Sequence, residues 1–181
     1  MKGYNKVKIK RLTELSLLTA LALIIFVVEL QIPNLSPIAG VKPGLANIIT
    51  VYAVYRYRWG ETALILLARI LLGALFTSNP SAIIYSLSGG FLCLLGMLLL
   101  KKIIPMNHLW LCSVLGAVLH NIGQIAAAVL IMRTAAVLLY LPPLVLSGCI
   151  AGTITGLAAQ LVLKRTQKNI SKEVKTKGQD E

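Results

Sequence analysis

The amino-acid sequence predicts an all-α integral membrane protein with six transmembrane helices and both termini in the cytoplasm. Three observations predict this fold class: apolar residues make up 57% of the 181 residues, acidic residues number only six, and the basic residues lie mainly outside the apolar segments. A bilayer core of about 30 Å requires about 20 apolar residues per helix, and the chain offers five or six such segments. We therefore expect a single multi-pass domain in the cell membrane.

Each apolar segment gives one predicted helix. The predicted spans are residues 12–30, 44–57, 62–77, 81–100, 108–132 and 142–163. A basic cytoplasmic segment, residues 1–11, precedes this transmembrane domain of residues 12–163. A polar cytoplasmic tail, residues 164–181, follows it, and we expect the tail to be disordered or to lie on the membrane surface.

The distribution of basic residues decides the number of spans. The second and third predicted spans are short enough to be re-entrant on length alone. With a cytoplasmic amino terminus, every basic cluster falls inside, and only Lys42 and Arg133 lie outside. A second segment that failed to span would move the later clusters to the wrong face. The charge pattern therefore favours six spans.

Composition also excludes several function classes. The formal net charge of +12 comes from chain ends and short loops, where it suits the anionic headgroups of a lipid bilayer rather than nucleic acid. Cys93, Cys112 and Cys149 each lie inside an apolar segment, without a CxxC pair or neighbouring metal ligands. Cysteines in such positions typically serve as small residues that pack between helices. We predict no metal, no cofactor and no nucleic-acid partner.

The loop between the first two spans is the first candidate for a binding site. It runs from Glu29 through Lys42 to Asn47 and contains several Pro and Gly residues, where the loop can open and close. Irregular backbone at membrane depth is tolerated only where protein or a watery cavity satisfies its polar groups. Lys42 either presents a cation to an acidic solute or lies among headgroups and solvent. Glu29 pairs with Lys42, with Arg69 or with an amine of a ligand.

The fifth span carries a polar face near its middle. Gly116, His120 and Gln124 follow the i, i+4, i+8 spacing of one helix face, and Asn121 lies beside them. These side chains are costly in a membrane unless they have partners. They either hydrogen-bond a ligand, relay a proton or bond neighbouring helices together. Metal ligation is the weakest alternative, because the other histidine, His108, lies in a loop.

Polar side chains also occur in the third and fourth spans. Arg69 lies inside the third span and requires an anion, which is either internal, from Glu29 or a backbone carbonyl, or a carboxylate or phosphate of a ligand. On the fourth span Ser81, Tyr85 and Ser88 form a polar stripe. This stripe indicates either a pocket wall or close helix contact.

Small residues indicate two helix-contact faces. Gly148, Gly152 and Gly156 form a GxxxGxxxG ridge on the sixth span, which is a strong signal for close helix packing. Ser16 and Ala20 on the first span form a weaker pair that could dock another membrane subunit.

Several of these motifs together resemble those of a known family. The residues that carry the resemblance are Glu29, Ile32-Pro33, residues 40–47 (GVKPGLAN), Asn79-Pro80, residues 85–90 (YSLSGG) and residues 116–124 (GAVLHNIGQ). Residues 13–163 thereby resemble the Gx transporter family, which is also called heptaprenyl diphosphate synthase component I. That family is similar in plan to the substrate-binding S components of energy-coupling factor transporters.

The resemblance implies an S-component-like bundle of six helices with a solute pocket near the outer face, closed by the first loop. It also implies docking to an energy-coupling transmembrane subunit that is driven by ATPases. S components dock through small residues four apart on the first helix, and here Ile24 interrupts that series after Ser16 and Ala20.

We therefore expect a membrane-embedded substrate-binding or transport protein for a small organic solute. The predicted substrate-binding residues are Glu29, Lys42, Asn47, Arg69, Tyr85, His120, Asn121 and Gln124. The alternative is a non-catalytic membrane subunit, component I, of a heptaprenyl diphosphate synthase in isoprenoid quinone biosynthesis, with a soluble prenyltransferase as partner. A third hypothesis is an assembly subunit of a membrane complex.

We do not expect the chain to be an enzyme. Prenyltransferases hold Mg²⁺ with aspartate-rich clusters, because this hard cation prefers oxygen ligands. The chain has one aspartate, Asp180, and no Walker A nucleotide-binding loop.

Overall fold

The computed structural model describes residues 2–31, 42, 44–77 and 80–177, and within them it contains helices and no strands. The α-helices are α1 (Lys2–Gln31), α2 (Asn47–Arg56), α3 (Trp59–Ala74), α4 (Ser81–Leu100), α5 (Leu109–Met132) and α6 (Leu141–Lys177). Two short 3₁₀ helices, Met106–His108 and Ala135–Tyr140, precede α5 and α6. The prediction of an all-α chain is confirmed over the described residues.

Each predicted segment overlaps one of these helices, and α4 has the predicted bounds, whereas the lengths of the other helices differ from the prediction. Four helical stretches in the described part of the chain have the length and apolar composition needed to cross a membrane: Ile9–Gln31, Ser81–Leu100, Met106–Met132 and Ala135–Asn169. With 10 and 16 residues, α2 and α3 are shorter than these stretches. At the other end of the chain, α6 continues to Lys177, so the described part of the tail is helical.

Helix α5 lies between α4 and α6, while α1 packs on α3, and α2 contacts α6. The contact between α5 and α6, here called the α5–α6 seam, depends on the glycine ridge of α6. A Cβ atom on Gly152 would lie 2.8 Å from Cα of Val114, and one on Gly156 would lie 2.6 Å from Cα of Trp110. Only glycine permits so close an approach. The structure thus confirms the predicted packing role of the ridge.

Hydrogen bonds join α5 and α6 within the seam. Asn121 Nδ2 donates to the carbonyl of Leu144 over 2.6 Å, and the hydroxyls of Ser113 and Thr155 are 3.1 Å apart. Hydrogen bonds of this kind between membrane helices stabilise their contact by about 0.6 to 2 kcal/mol. The seam is therefore a hydrogen-bonded structural contact, in which Asn121 Oδ1 has no partner among the described residues.

A cluster of charges, here called the Arg11 cluster, fastens α1 to the turn between α2 and α3. Arg11 Nε and Nη2 donate to the two carboxylate oxygens of Glu61, each over 2.8 Å. Glu61 also accepts the N–H of Arg58 at the start of α3, over 2.9 Å. The Arg11 guanidinium lies 4.1 Å from the ring centre of Tyr57. The hydrogen bonds from Arg11 lower the pKa of Glu61 to about 2.

The outer surface of the helices is largely apolar. Large exposed side chains include Leu17, Ile24, Phe91, Leu130 and Ile154. In a soluble protein such a surface would aggregate, whereas lipid tails solvate it without cost. A polar residue that is buried inside such a bundle therefore needs a hydrogen-bond partner or a function that explains its presence there.

Candidate functional site

Most of the predicted site residues are buried inside the helical bundle. Each of the eight has at most 9% of its surface exposed: Glu29, Lys42, Asn47, Arg69, Tyr85, His120, Asn121 and Gln124. Polar and ionisable groups at such depth are expensive in a membrane protein unless they have partners or a function. Their individual partners show what each of them does.

Glu29, at the end of α1, binds the backbone that leads into α2. Its Oε1 accepts the N–H groups of Gly44 and Leu45 over 2.5 and 3.0 Å, and its Oε2 accepts that of Ala46 over 3.5 Å. N–H groups at the start of a helix lack partners within the helix and favour a negative charge. The partners of Glu29 in the described residues are thus backbone N–H groups, and it forms no ion pair there with Lys42 or Arg69, two of its three predicted partners.

Gly44 adopts a left-handed conformation, with φ of +83°, which favours glycine. It also lies against two predicted site residues. A Cβ atom on Gly44 would be 2.7 Å from Nδ2 of Asn47 and 3.1 Å from Cδ2 of His120. The turn that Glu29 holds therefore places Asn47 of α2 beside His120 of α5.

The other side of His120 faces α4. A Cβ atom on Gly89 would lie 3.0 Å from Cε1 of His120 and 2.8 Å from Cγ of Gln124. Gly116, one turn before His120, contacts Met97 of α4. Gly116, His120 and Gln124 therefore share a face of α5 as predicted, and this face meets α4 at Met97 and Gly89.

Arg69 of α3 completes this region. It is 4% exposed, and its guanidinium lies 5.6 Å from the ring centre of Phe26. Its charge acts on both Glu29 and His120. However, Arg69 makes no ion pair within 4.0 Å among the described residues, so the predicted internal pair with Glu29 is not a direct contact. The Glu29 oxygens are occupied by the backbone instead.

Several buried polar atoms of these residues have no hydrogen-bond partner in the described part of the chain. They are Asn47 Nδ2 and Oδ1, Arg69 Nη2, His120 Nδ1, Asn121 Oδ1 and Gln124 Oε1. An unsatisfied buried polar atom costs about 1 to 3 kcal/mol, and more where the group is charged. We call Asn47, Arg69, His120 and Gln124 the interior cluster, because all four have unsatisfied atoms, three of them lie around Gly44 and Gly89, and the charge of the fourth, Arg69, acts on His120.

The remaining predicted residues lie around this cluster. Lys42 is buried with 9% of its surface exposed, so it is not extended into headgroups or solvent. Tyr85 packs in an apolar group with Ile125 and Leu144. Asn121 points to α6, in the seam. The predicted loop residues 32–41 and 43, and Asn79, lie outside the described residues.

The fourth helix also contacts α5 through Ser88, whose Oγ donates to the carbonyl of Gly123 over 2.7 Å. This bond favours the close-contact interpretation of the polar stripe at Ser88. Beside it, an apolar groove of about 620 Å³ opens between α3 and α4. Leu66, Leu67 and Phe91 are among its lining residues. This groove could not be predicted from the sequence, because apolar residues that face a groove have the same spacing along a helix as apolar residues that face lipid.

Comparison with known proteins confirms one part of the resemblance, the heptaprenyl diphosphate synthase component I family, and leaves the likeness to transporter S components a prediction. A family model described as heptaprenyl diphosphate synthase component I matches residues 18–162, which is well over half of the chain. No curated protein and no solved structure shows significant similarity to this chain.

Proposed function

The chain belongs to the heptaprenyl diphosphate synthase component I family, and we propose that this member of it binds a small organic solute inside its helical bundle. One observation carries the proposal: the interior cluster holds buried donors and acceptors without partners in the described residues. In the α5–α6 seam, by comparison, the Ser113 and Thr155 hydroxyls bond to each other and Asn121 Nδ2 bonds to backbone, which leaves Asn121 Oδ1 as the unsatisfied atom there among the described residues. Unsatisfied groups at this depth are best explained by a ligand that bonds to them.

We propose the following membrane arrangement for this function. All six helices span or enter the cell membrane, both termini are cytoplasmic, and the interior cluster lies towards the outer face. The distribution of basic residues supports this plan. The place of the short helices α2 and α3 in the membrane is supported by their packing, because both contact the longer helices. Irregular or short elements are tolerated where protein surrounds them.

The proposed activity is capture or transport rather than catalysis. We propose an S-component-like role, in which a coupling subunit with ATPases supplies the energy. Ser16 and Ala20 both lie exposed on α1 and are open to a neighbouring helix, which supports such docking. The single aspartate of the chain, Asp180, supports a non-catalytic role.

The test of solute binding compares two histidines. The protein is purified gently from its native membrane, and bound small molecules are released and measured by mass spectrometry. We expect a stoichiometric molecule in the wild type and in His108→Ala, because His108 is exposed near the start of α5. In His120→Ala the bound amount of this molecule should fall at least about tenfold, because His120 lies in the interior cluster. Equal occupancy in both variants, or an empty wild type, would contradict the proposal.

The family description favours a second function, a non-catalytic subunit of a heptaprenyl diphosphate synthase. In that case a soluble, aspartate-rich prenyltransferase should be present in the same purified sample. His120→Ala would leave its association unchanged, because the interior cluster is buried and cannot contact a soluble partner. Co-purification of such an enzyme with an empty interior would favour this second function.

A further inference from the structure

The charges inside the bundle do not balance. Five of the six acidic residues lie in the Arg11 cluster or the tail: Glu14, Glu61, Glu173, Asp180 and Glu181. Glu29 alone lies in the interior, whereas Lys42 and Arg69 are both buried there. Residues 32–41 and 43 contain no acidic residue. Two buried cations therefore share one carboxylate.

That one carboxylate is already bonded. Both oxygens of Glu29 accept backbone N–H groups of the turn before α2, and they form no ion pair with Arg69. A guanidinium stays protonated at every accessible pH, so Arg69 cannot escape its burial by losing a proton. A buried charge without a close counter-ion is strongly destabilising. Arg69 Nη2 has no hydrogen-bond acceptor in the described residues, and an anionic oxygen of a bound molecule would supply both the acceptor and the counter-charge.

An anionic oxygen alone would not satisfy the rest of the cluster. Gln124 Oε1 and Asn47 Oδ1 are acceptors without donors in the described residues, and an acceptor needs an N–H or O–H group opposite it. A fatty acid or a bare inorganic anion would leave them unpaired. Asn47 Nδ2 adds one further donor beside Gly44, so the cluster suits a molecule with both kinds of polar group.

Two glycines lie close to His120. A Cβ atom on Gly44 would lie 3.1 Å from Cδ2 of His120, and one on Gly89 would lie 3.0 Å from its Cε1. A molecule that binds beside His120 must therefore fit against the backbone at both glycines.

We infer that the interior cluster binds a small organic anion, a carboxylate or a phosphate ester, that also carries N–H or O–H groups. This inference rests on the proposed function and specifies its ligand class. Arg69 binds the anionic oxygen, and Gln124 and Asn47 accept hydrogen bonds from the same molecule.

The test measures the charge of whatever binds. The purified protein is exposed to a small-molecule extract of the cells that produce it and washed, and the bound molecules are released by denaturation. They are passed over an anion exchanger at neutral pH and identified by accurate mass. Phosphorus in the molecular formula distinguishes a phosphate ester from a carboxylate. We expect a retained anion that carries N–H or O–H groups.

Variants of two arginines provide the matched comparison. Arg69→Gln should reduce occupancy by the anion at least about tenfold, whereas Arg56→Gln, at an exposed position, should not change it. Arg69→Lys keeps the charge and loses the planar fork, so it should give an intermediate occupancy. If Arg69→Gln does not fold, Arg69→Lys and the charge of the wild-type ligand decide the question.

The outcomes separate this inference from the proposed function. A bound neutral or cationic molecule that is lost in His120→Ala would overturn the ligand class while supporting solute binding. An anion that Arg69→Gln retains fully would also overturn the inference. The absence of any bound molecule, from membrane or extract, would overturn the proposed function itself.

Discussion

Two arginines, one at each end of the α1–α3 contact, show how differently the same side chain is used. Arg11 makes two hydrogen bonds of 2.8 Å to Glu61 and lies over Tyr57. Arg69 is more deeply buried, yet its Nη2 has no partner in the described residues. Burial raises the cost of an unpaired charge, so Arg69, the less exposed of the two, has the greater need of a counter-ion. The arginine of the Arg11 cluster has its partners within the described residues, and the interior cluster has unsatisfied atoms that the proposed ligand would bind.

The same contrast appears between two amides of α5. Asn121 Nδ2 donates to the Leu144 carbonyl in the seam, whereas Gln124, three residues later, faces Gly89, and the side-chain oxygens of both amides have no partner in the described residues. A helix turns by about 100° per residue, so neighbouring residues face different helices. Helix bonding is therefore observed for Asn121, and ligand contact stays a prediction for Gln124.

The largest effect should follow from filling the interior cluster. In Gly89→Ala the new methyl group would lie 2.7 Å from the His120 carbonyl, so α4 and α5 must separate. We expect loss of solute binding and a free energy of unfolding lower by about 1 to 3 kcal/mol, measured by denaturant titration in detergent. The matched control is Gly60→Ala, because a Cβ atom there meets nothing within 4 Å. Unchanged binding in Gly89→Ala would contradict the location of the site.

A smaller effect should follow from Asn121→Ala, which acts on the seam. Loss of the hydrogen bond to Leu144 should lower the free energy of unfolding by about 1 kcal/mol. Solute affinity should change less than about threefold, because Asn121 faces α6. Affinity and stability are measured on the same preparation. A large loss of affinity with normal stability would place Asn121 in the binding site and remove the contrast with Gln124.

The smallest effect concerns the Arg11 cluster and depends on pH. The pKa of Glu61 is lowered from 4.5 to about 2 in the folded protein. The stabilisation that the ionised Glu61 gives is therefore complete above its ordinary pKa of 4.5, and it is lost as the pH falls through the lowered pKa of about 2. Glu61→Gln should lower the free energy of unfolding by about 1 kcal/mol at neutral pH.

This difference between wild type and Glu61→Gln should shrink on acidification from about pH 5 to about pH 2. At each pH, solute binding should be the same in wild type and Glu61→Gln, because the cluster lies outside the site. Glu173→Gln, in the polar tail, provides the control. A difference that stays at its neutral-pH size down to about pH 2 would show that packing, rather than the ion pair, stabilises this contact.

The helices could be predicted well from the sequence, and α4 has the predicted bounds. Apolar length and the residues that interrupt it are local properties, so the chain itself reveals them. The common face of His120 and Gln124 was predictable for the same reason. The length of α2 was not, because its first residues are held in a turn by Glu29 rather than in a helix.

Partners far apart in the sequence could not be predicted. Arg11 and Glu61 are 50 residues apart, and no local pattern joins them. The partners of Glu29 are backbone N–H groups, which every residue but proline possesses and which no residue type reveals. The lack of an ion pair for Arg69 is likewise a matter of tertiary distance. These long-range contacts are also the ones that distinguish scaffold from site.

An experimental structure of the protein, purified gently from its own membrane, tests the central claim most directly. The measurement is the density between Asn47, Arg69, His120 and Gln124. We predict non-protein density within hydrogen-bonding distance of Arg69 Nη2 and Gln124 Oε1. If these side chains instead bond to each other, or to ordered water alone, the interior cluster is structural and the solute-binding account is wrong.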